Sequence, residues 1–144
     1  MIRRIDPNDR NLFVTLSKEF YSTDAVSHTI PHEYHEKSFD ELMRSDEYIE
    51  CFIFEQDRET AGYALIAKTF SPEAGGVVVW IEELYVRESF RGKGLGKAFF
   101  KYMEENYPAA RYRLEIEPEN LRAKKLYSSL GYKELPYAQM IKGV

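Results

Sequence analysis

The sequence predicts one α/β domain built on a mixed, mostly antiparallel sheet flanked by helices. Three observations carry that expectation. Strand-like runs at Tyr48–Glu55, Ala61–Phe70 and Gly76–Val86 are joined by five-residue links, Gln56–Thr60 and Ser71–Gly75, short enough for antiparallel hairpins. A glycine-rich turn and a helical run then separate the third strand from another at Tyr112–Ile116, the connection that parallel neighbours require. No repeat, low-complexity tract or linker interrupts the 144 residues, so residues 1–144 read as a single domain.

Each element has its own signal. Ile2–Ile5 is a short apolar strand, and Asp6-Pro7 reads as an N-cap followed by proline at the first helical position. Leu12, Phe13, Leu16 and Phe20 give the next helix its apolar face. Tyr21–Lys37, with prolines, histidines and small residues, reads as a loop or broken helix. Ser38 with Glu41 forms a capping-box pattern that opens a short helix with Phe39, Leu42 and Met43 inward. Leu95, Ala98, Phe99, Tyr102 and Met103 recur at helical spacing until Pro108. Asn120 caps a last helix carrying Ala123, Leu126, Tyr127 and Leu130, Gly131 ends it, and Tyr137–Ile141 is expected to supply a final strand.

Composition narrows the function. Hydrophobic residues make up 44% and charged residues 31%, ordinary for a globular protein. The formal charge of -4, with basic residues gathered near one loop, argues against a nucleic-acid role. The longest apolar run, Gly75–Ile81, falls short of the roughly 20 residues that cross a bilayer. Met1–Asp6 lacks the apolar core of a signal peptide, so a cytoplasmic location is expected. The lone Cys51 lies in an apolar run, which suits a buried thiol better than a nucleophile. His28, His32 and His35 are spaced too loosely for a metal site, and no metal is expected. They are expected to line or decorate a substrate loop.

The chemistry concentrates in Arg91-Gly92-Lys93-Gly94-Leu95-Gly96, set between a strand and a helix. Glycines there allow positive φ and close backbone approach, and the helix that follows offers free N–H groups. Together these make an anion site suited to phosphate. Arg87, Arg91, Lys93 and Lys97 oppose only Glu88 in this stretch. A P-loop is excluded, because Arg91 stands five positions before Gly96 and Ala98 follows Lys97. A dinucleotide fingerprint fits Gly92 and Gly94 but finds Lys97 at its third glycine. Glu115 could serve as its ribose partner, yet only one strand–helix unit follows, too little for a doubly wound fold. A glycine turn that merely packs a helix on a sheet is the other alternative.

The remaining pattern, Arg91, Gly94 and Gly96 after Leu84-Tyr85-Val86, resembles the acetyl-CoA pyrophosphate loop of the GNAT superfamily of N-acetyltransferases. The likeness covers about residues 77–132 and includes Ile81–Val86, Asn120, Leu126-Tyr127 and Leu130–Tyr132. It implies a splayed parallel strand pair with acetyl-CoA wedged into the gap. The backbone of Leu84, Tyr85 and Val86 would meet the pantetheine arm. The segment Arg91, Gly92, Lys93, Gly94, Leu95 and Gly96, with Lys97 nearby, would cradle the pyrophosphate, and Asn120 would contact CoA. Glu82 corresponds to the base of the polyamine acetyltransferases, with Glu83 as the alternative, and Tyr127 to the proton donor to the departing thiolate. The implied reaction is direct attack by a primary amine in a ternary complex. A small cation such as a polyamine is preferred over a protein lysine or N-terminus, and amino-sugar antibiotics are a further possibility. Eight acidic residues against two basic ones between Tyr21 and Glu50 would attract such a cation, or form a solvated face. A homodimer is a family-based expectation, and a non-catalytic acyl-CoA sensor is the rival function.

Overall fold

The computed structural model describes residues 1–143. It contains a five-stranded sheet in sequential order: β1 (Ile2–Arg4), β2 (Ile49–Gln56), β3 (Glu59–Ser71), β4 (Gly76–Val86) and β5 (Arg111–Leu114). The first four strands are antiparallel, and β5 lies parallel to β4. Helices α1 (Arg10–Phe20) and α2 (His32–Arg44) cover one face. On the other face lies α3 (Leu95–Asn106), joined by α4 (Leu121–Ser129).

Strand alternation divides the core between these faces. Phe52, Phe54, Ala64, Ile66, Val79 and Ile81 pack against Phe99, Phe100 and Met103 of α3. Cys51, Ile53, Tyr63 and Leu65 point the other way, onto Phe13, Leu16 and Phe20 of α1 and Phe39 of α2. Cys51 is buried, and burial pushes its thiol pKa up, which leaves it inert.

The chain departs from the sequence-based expectations at three places. Asp6 does cap Pro7–Asp9, but as a 3₁₀ turn that runs into α1. Helix α2 begins at His32, directly after Pro31, well before Ser38. Ser38 lies inside the helix and donates to the carbonyl of Tyr34 at 2.9 Å, so its hydroxyl satisfies a preceding turn rather than opening a new one. The inward stripe is His35, Phe39 and Leu42, while Met43 lies at the surface. His35 was the hidden member of this stripe, because a histidine does not read as apolar. Finally, Tyr137–Ile141 forms no strand. Tyr137, Met140 and Ile141 are exposed, so the segment has no buried face, and Pro136 removes a backbone donor beside it.

The feature that positions the site is a bulge in β4. Leu65 opposes Glu83 and Ile66 opposes Ile81, leaving Glu82 as the extra residue. The bulge flips the facing pattern. Ile81 faces α3, and so do Leu84 and Val86, while Tyr85 turns to the α1 face. Pairing between β4 and β5 ends at the same point, with Ile81 opposite Leu114. The two strands part beyond it.

The parted half of β4 presses closely on β3. A Cβ built on Gly62 would overlap the carbonyl oxygen of Tyr85, so no side chain can stand there without moving the backbone. Gly62→Ala should therefore force β4 away from β3 and lower stability by about 1–3 kcal/mol, the usual cost of overpacking. Urea unfolding should show a reduced midpoint; an unchanged midpoint would mean that the strands yield freely.

Candidate active site

After the bulge, β4 offers its open edge to the cleft. The amide of Arg87 donates to the carbonyl of Ala61 on β3 at 2.8 Å. By strand alternation Tyr85 also turns its backbone to β3, and Leu84 and Val86 turn theirs away, into the gap left by β5. The Arg91 Nε confirms the direction, donating to the Val86 carbonyl at 3.0 Å.

The C-terminal end of α1 clasps this segment. Glu83, Tyr85 and Arg87 alternate on one face and each meets α1 or the residue after it. Arg87 donates to Glu19 through Nε at 2.9 Å and its terminal nitrogen at 2.8 Å, and the Tyr85 hydroxyl donates to the same carboxylate at 3.0 Å. The Glu83 carboxylate accepts from Tyr63 at 2.6 Å and from Tyr21 at 2.9 Å. Arg87 is therefore spent on an ion pair and does not belong to the basic loop.

A 3₁₀ turn, Glu88–Phe90, leads to the glycine loop. Gly92 and Gly94 have φ of 76° and 80°, the left-handed region that a side chain would strain. Gly94 is the N-cap of α3 and contributes no side-chain cap, so the first amides of α3 stay available to an anion. Gly96 is helical, and a Cβ there would meet Leu126 Cδ2 at an ordinary 3.6 Å. Its lack of a side chain matters for access instead, since it lines the cleft.

That cleft has a volume of about 880 Å³. Leu84, Tyr85, Val86, Arg91, Gly92, Gly94, Leu95, Gly96, Lys97, Asn120 and Tyr127 all line it. Lys93 does not; its ammonium lies over the Phe90 ring, 5.4 Å from the centroid. Arg122 and the segment Ser22–Ala25 also line the cleft, and the sequence offered no signal for them beyond a basic residue at the start of α4. An acyl-CoA fits this chemistry. There is an open strand edge for an amide-bearing arm, a glycine loop and a helix N-terminus for pyrophosphate, and Arg91, Lys97 and Arg122 for its charge.

A second cavity, of about 430 Å³, adjoins the first through Phe20, Ala25, Leu84, Asn120, Ala123 and Tyr127. Its walls include Tyr21, His28, Trp80, Glu82, Glu115 and Glu117, and no lysine or arginine lines it. Arg113 stacks instead over Trp80, 4.4 Å from the ring centroid. Glu82 is exposed to this cavity. Desolvation raises its carboxyl pKa, and repulsion from Glu115 and Glu83 adds to the rise. Glu83 is also raised by burial, against the downward pull of Tyr63 and Tyr21. The bulge thus sends the two glutamates to different surroundings: Glu82 to the cavity, Glu83 to a pair of phenols.

Asn120 caps α4, its Oδ1 accepting from the Ala123 amide at 3.2 Å, and lines both cavities. Tyr127 packs between Phe100 and Tyr132, with ring centroids at 5.7 and 6.1 Å. Burial holds its phenol pKa above the ordinary value, so it is a donor at neutral pH. Among the described residues its hydroxyl has no hydrogen-bond partner.

The histidines divide. His28 lines the second cavity, His32 sits on the surface of α2, and His35 is buried with Nδ1 2.7 Å from the Ser17 hydroxyl. Among the described residues no three His, Cys, Asp or Glu side chains gather to hold a metal ion, and no helix is long and apolar enough to cross a membrane. The acidic stretch between Tyr21 and Glu50 is not the acidic wall. Glu36 and Asp40 pair with Arg10, Glu41 and Glu47 with Arg44, and Glu50 with Lys68. The carboxylates of the cavity come from β4 and from the chain just beyond β5.

This fold and cleft define a transferase of acyl groups. The chain belongs to the acetyltransferase (GNAT) family, whose model matches residues 13–132. It is 26% identical to the thialysine N-epsilon-acetyltransferase of Bos taurus over 96% of this chain and 87% of that protein. A shorter match, 34% identical over 38% of each chain, links it to the spermine/spermidine N(1)-acetyltransferase of Bacillus subtilis strain 168. Among solved structures, a probable acetyltransferase superposes with a TM-score of 0.81 at 20% identity, covering 100% of this chain and 99% of the other. An aminoglycoside N-acetyltransferase in complex with CoA superposes with a TM-score of 0.77 at 21% identity, covering 99% of this chain and 93% of that one.

Glu19 gives the clasp a pH signature. Its carboxyl pKa is lowered, first by hydrogen bonding to Arg87 and then by Tyr85 and the Arg87 charge, against the cost of burial. A lowered folded-state pKa adds stability above the unfolded value and loses it as pH falls through the folded one. Glu19→Gln should therefore cost up to about 1 kcal/mol at neutral pH for this partly exposed pair, and the gap from wild type should close on acidification. Denaturant melts from pH 7 to pH 3 would check it; a gap independent of pH would rule out the ion pair as its source.

Proposed function

We propose that this protein transfers an acetyl group from acetyl-CoA to the primary amine of a small cation, a polyamine or similar molecule. The observation that carries the reading is the second cavity, where Glu82, Glu115 and Glu117 stand without a basic residue among the lining groups. Carboxylates with no internal counter-charge favour a ligand that brings its own positive charge. Trp80 and Tyr21 add aromatic surface suited to alkyl segments and cations. The names of the bovine and Bacillus relatives, acetyltransferases of thialysine and of spermine or spermidine, agree with this substrate class.

When bound, acetyl-CoA supplies the activated thioester. The protein's part is to hold it, orient the amine and move two protons. The open edge of Leu84 and Val86, the loop from Arg91 to Gly96, Lys97, Arg122 and Asn120 would hold the cofactor. Glu82 takes the proton that an alkyl amine, with a pKa near ~10.4, carries at neutral pH. Burial and the neighbouring carboxylates raise its pKa, which makes it a stronger base than an ordinary carboxylate. Tyr127 donates a hydrogen bond where a departing thiolate gathers charge, and its free hydroxyl and raised pKa suit that role. Cys51, buried and inert, takes no part. The same reading treats the chain as one catalytic domain. It places the protein in the cytoplasm, supported by its lone reduced cysteine, and as a homodimer, supported by exposed Tyr137, Met140 and Ile141.

Thiol release measured over diamines, lysine analogues, aminoglycosides and peptides should show the highest kcat/KM for small polycations. A preference for peptides or for neutral amines would overturn the substrate class. Glu82→Gln should lower kcat by about 10²–10⁴-fold, and Tyr127→Phe by about 10–100-fold, the loss of one charge-assisted hydrogen bond. Acetyl-CoA affinity should be preserved in both.

The pH profile offers a separate check. Glu82 must be ionised to act, so kcat/KM should fall on acidification, with a midpoint above the ordinary glutamate value of about 4.3. Glu115→Gln removes a like charge and should move that midpoint to lower pH. A midpoint that does not move would remove Glu82 from the role of base.

A further inference from the structure

Beyond the base and the acid, Glu83 occupies a position that catalysis as described does not use. It stands one residue past the bulge, and both of its oxygens accept from phenols. Tyr63 Oη lies 2.6 Å from Oε1 and Tyr21 Oη 2.9 Å from Oε2. The two tyrosines differ in kind. Tyr63 is fully buried among Phe13, Phe20 and Tyr85, part of the core on β3. Tyr21 follows the last residue of α1 and begins the irregular segment that runs to Pro31.

That segment forms a wall of both cavities. Ser22, Thr23, Asp24 and Ala25 line the acyl-CoA cleft, and Tyr21, Val26, Ser27, His28 and Ile30 line the acidic cavity. Its other anchors are local. Ser22 and Thr23 donate back to Glu19 and Phe20 through both amide and hydroxyl, the Ala25 amide donates to the Thr23 hydroxyl, and Val26 packs on the core beneath α1. The Tyr21 ring packs edge-on against Phe20 and His35, at 5.2 and 5.7 Å. Among the described residues the only side-chain hydrogen bond from Tyr21 reaches across to the sheet, and its partner is Glu83.

We propose that Glu83 is a positioning residue for the acceptor site: it ties Tyr21 to the core through Tyr63 and thereby sets the wall shared by the acyl-CoA cleft and the amine cavity. The carboxylate suits the task because it offers acceptors on two oxygens, so one side chain can receive both phenols at once. An amide in its place has one acceptor oxygen, so the other phenol must turn its O–H away and accept from the N–H₂, which replaces a charge-assisted arm of the bridge with a weaker neutral one. This role rests on the acetyltransferase reading of the two cavities, but its structural core does not depend on turnover.

Three variants test it: Glu83→Gln, Tyr21→Phe and the pair combined. Amide hydrogen exchange should quicken about tenfold at Ser22, Thr23 and Ala25 in each, with β2 and β3 amides unchanged, as fits the loss of one hydrogen bond to a charged group. With the best amine, the acceptor KM should rise about tenfold while kcat stays within about threefold. The acid limb of the pH profile should stay where it is in Tyr21→Phe, and in Glu83→Gln it should persist and move only toward lower pH, because a like charge beside Glu82 is removed. The double variant should be no worse than the poorer single one, because both break the same link. Unchanged exchange at Ser22–Ala25 in Tyr21→Phe, additive losses in the double variant, or an acid limb abolished by Glu83→Gln would each overturn the proposal, the last by making Glu83 the base. If no amine is acetylated at all, the substrate reading fails, and the exchange measurement still decides the role of Glu83.

Discussion

One extra residue in β4 governs the rest of the site. At Glu82 the strand gains a residue against β3 and at the same level loses its pairing with β5. These are one event seen from two sides. A bulge increases local twist, and extra twist carries the end of β4 away from a parallel neighbour. The consequence is an open backbone edge at Leu84 and Val86, an opening between strands, and a carboxylate placed at its apex. The strand then needs support from elsewhere, since it has lost a neighbour. The α1 helix gives it through Glu19 and Tyr21, which engage Arg87, Tyr85 and Glu83, and Gly62 gives it by letting β3 approach without a side chain.

Much of this was legible in the sequence, and what escaped did so for physical reasons. The antiparallel hairpins, the parallel crossover and the glycine loop follow from local signals: short links, helical spacing, and glycines where positive φ occurs at Gly92 and Gly94. The helix start at His32 escaped because a buried histidine completes its stripe, and burial of a polar ring is a tertiary fact. The C-terminal strand was expected from composition alone, but a strand needs a neighbour and a buried face. Parity along β4 could not separate Glu82 from Glu83, since the bulge that decides the matter leaves no mark in the residue types.

Charge shows the same limit more sharply. Counting acidic residues between Tyr21 and Glu50 pointed to the wrong wall, because five of the eight sit beside an arginine or lysine brought close by folding. Arg87 was miscounted in the opposite direction, its charge being engaged by Glu19. Net charge along a segment says little about a cavity. What matters is which charges around a cavity remain without partners after folding, and around the second cavity those are Glu82, Glu115 and Glu117.

The unpartnered carboxylates bear on the end of the catalytic cycle as well as its start. On the proposed reading the amine arrives as a cation, and acetylation turns that nitrogen into a neutral amide. The reacted end of the molecule thus loses its attraction to Glu82 and Glu115. Such a cavity discards what it has made. It would turn a polycation round as readily as release it, since any amine still charged at the far end is then the better ligand for the same three carboxylates.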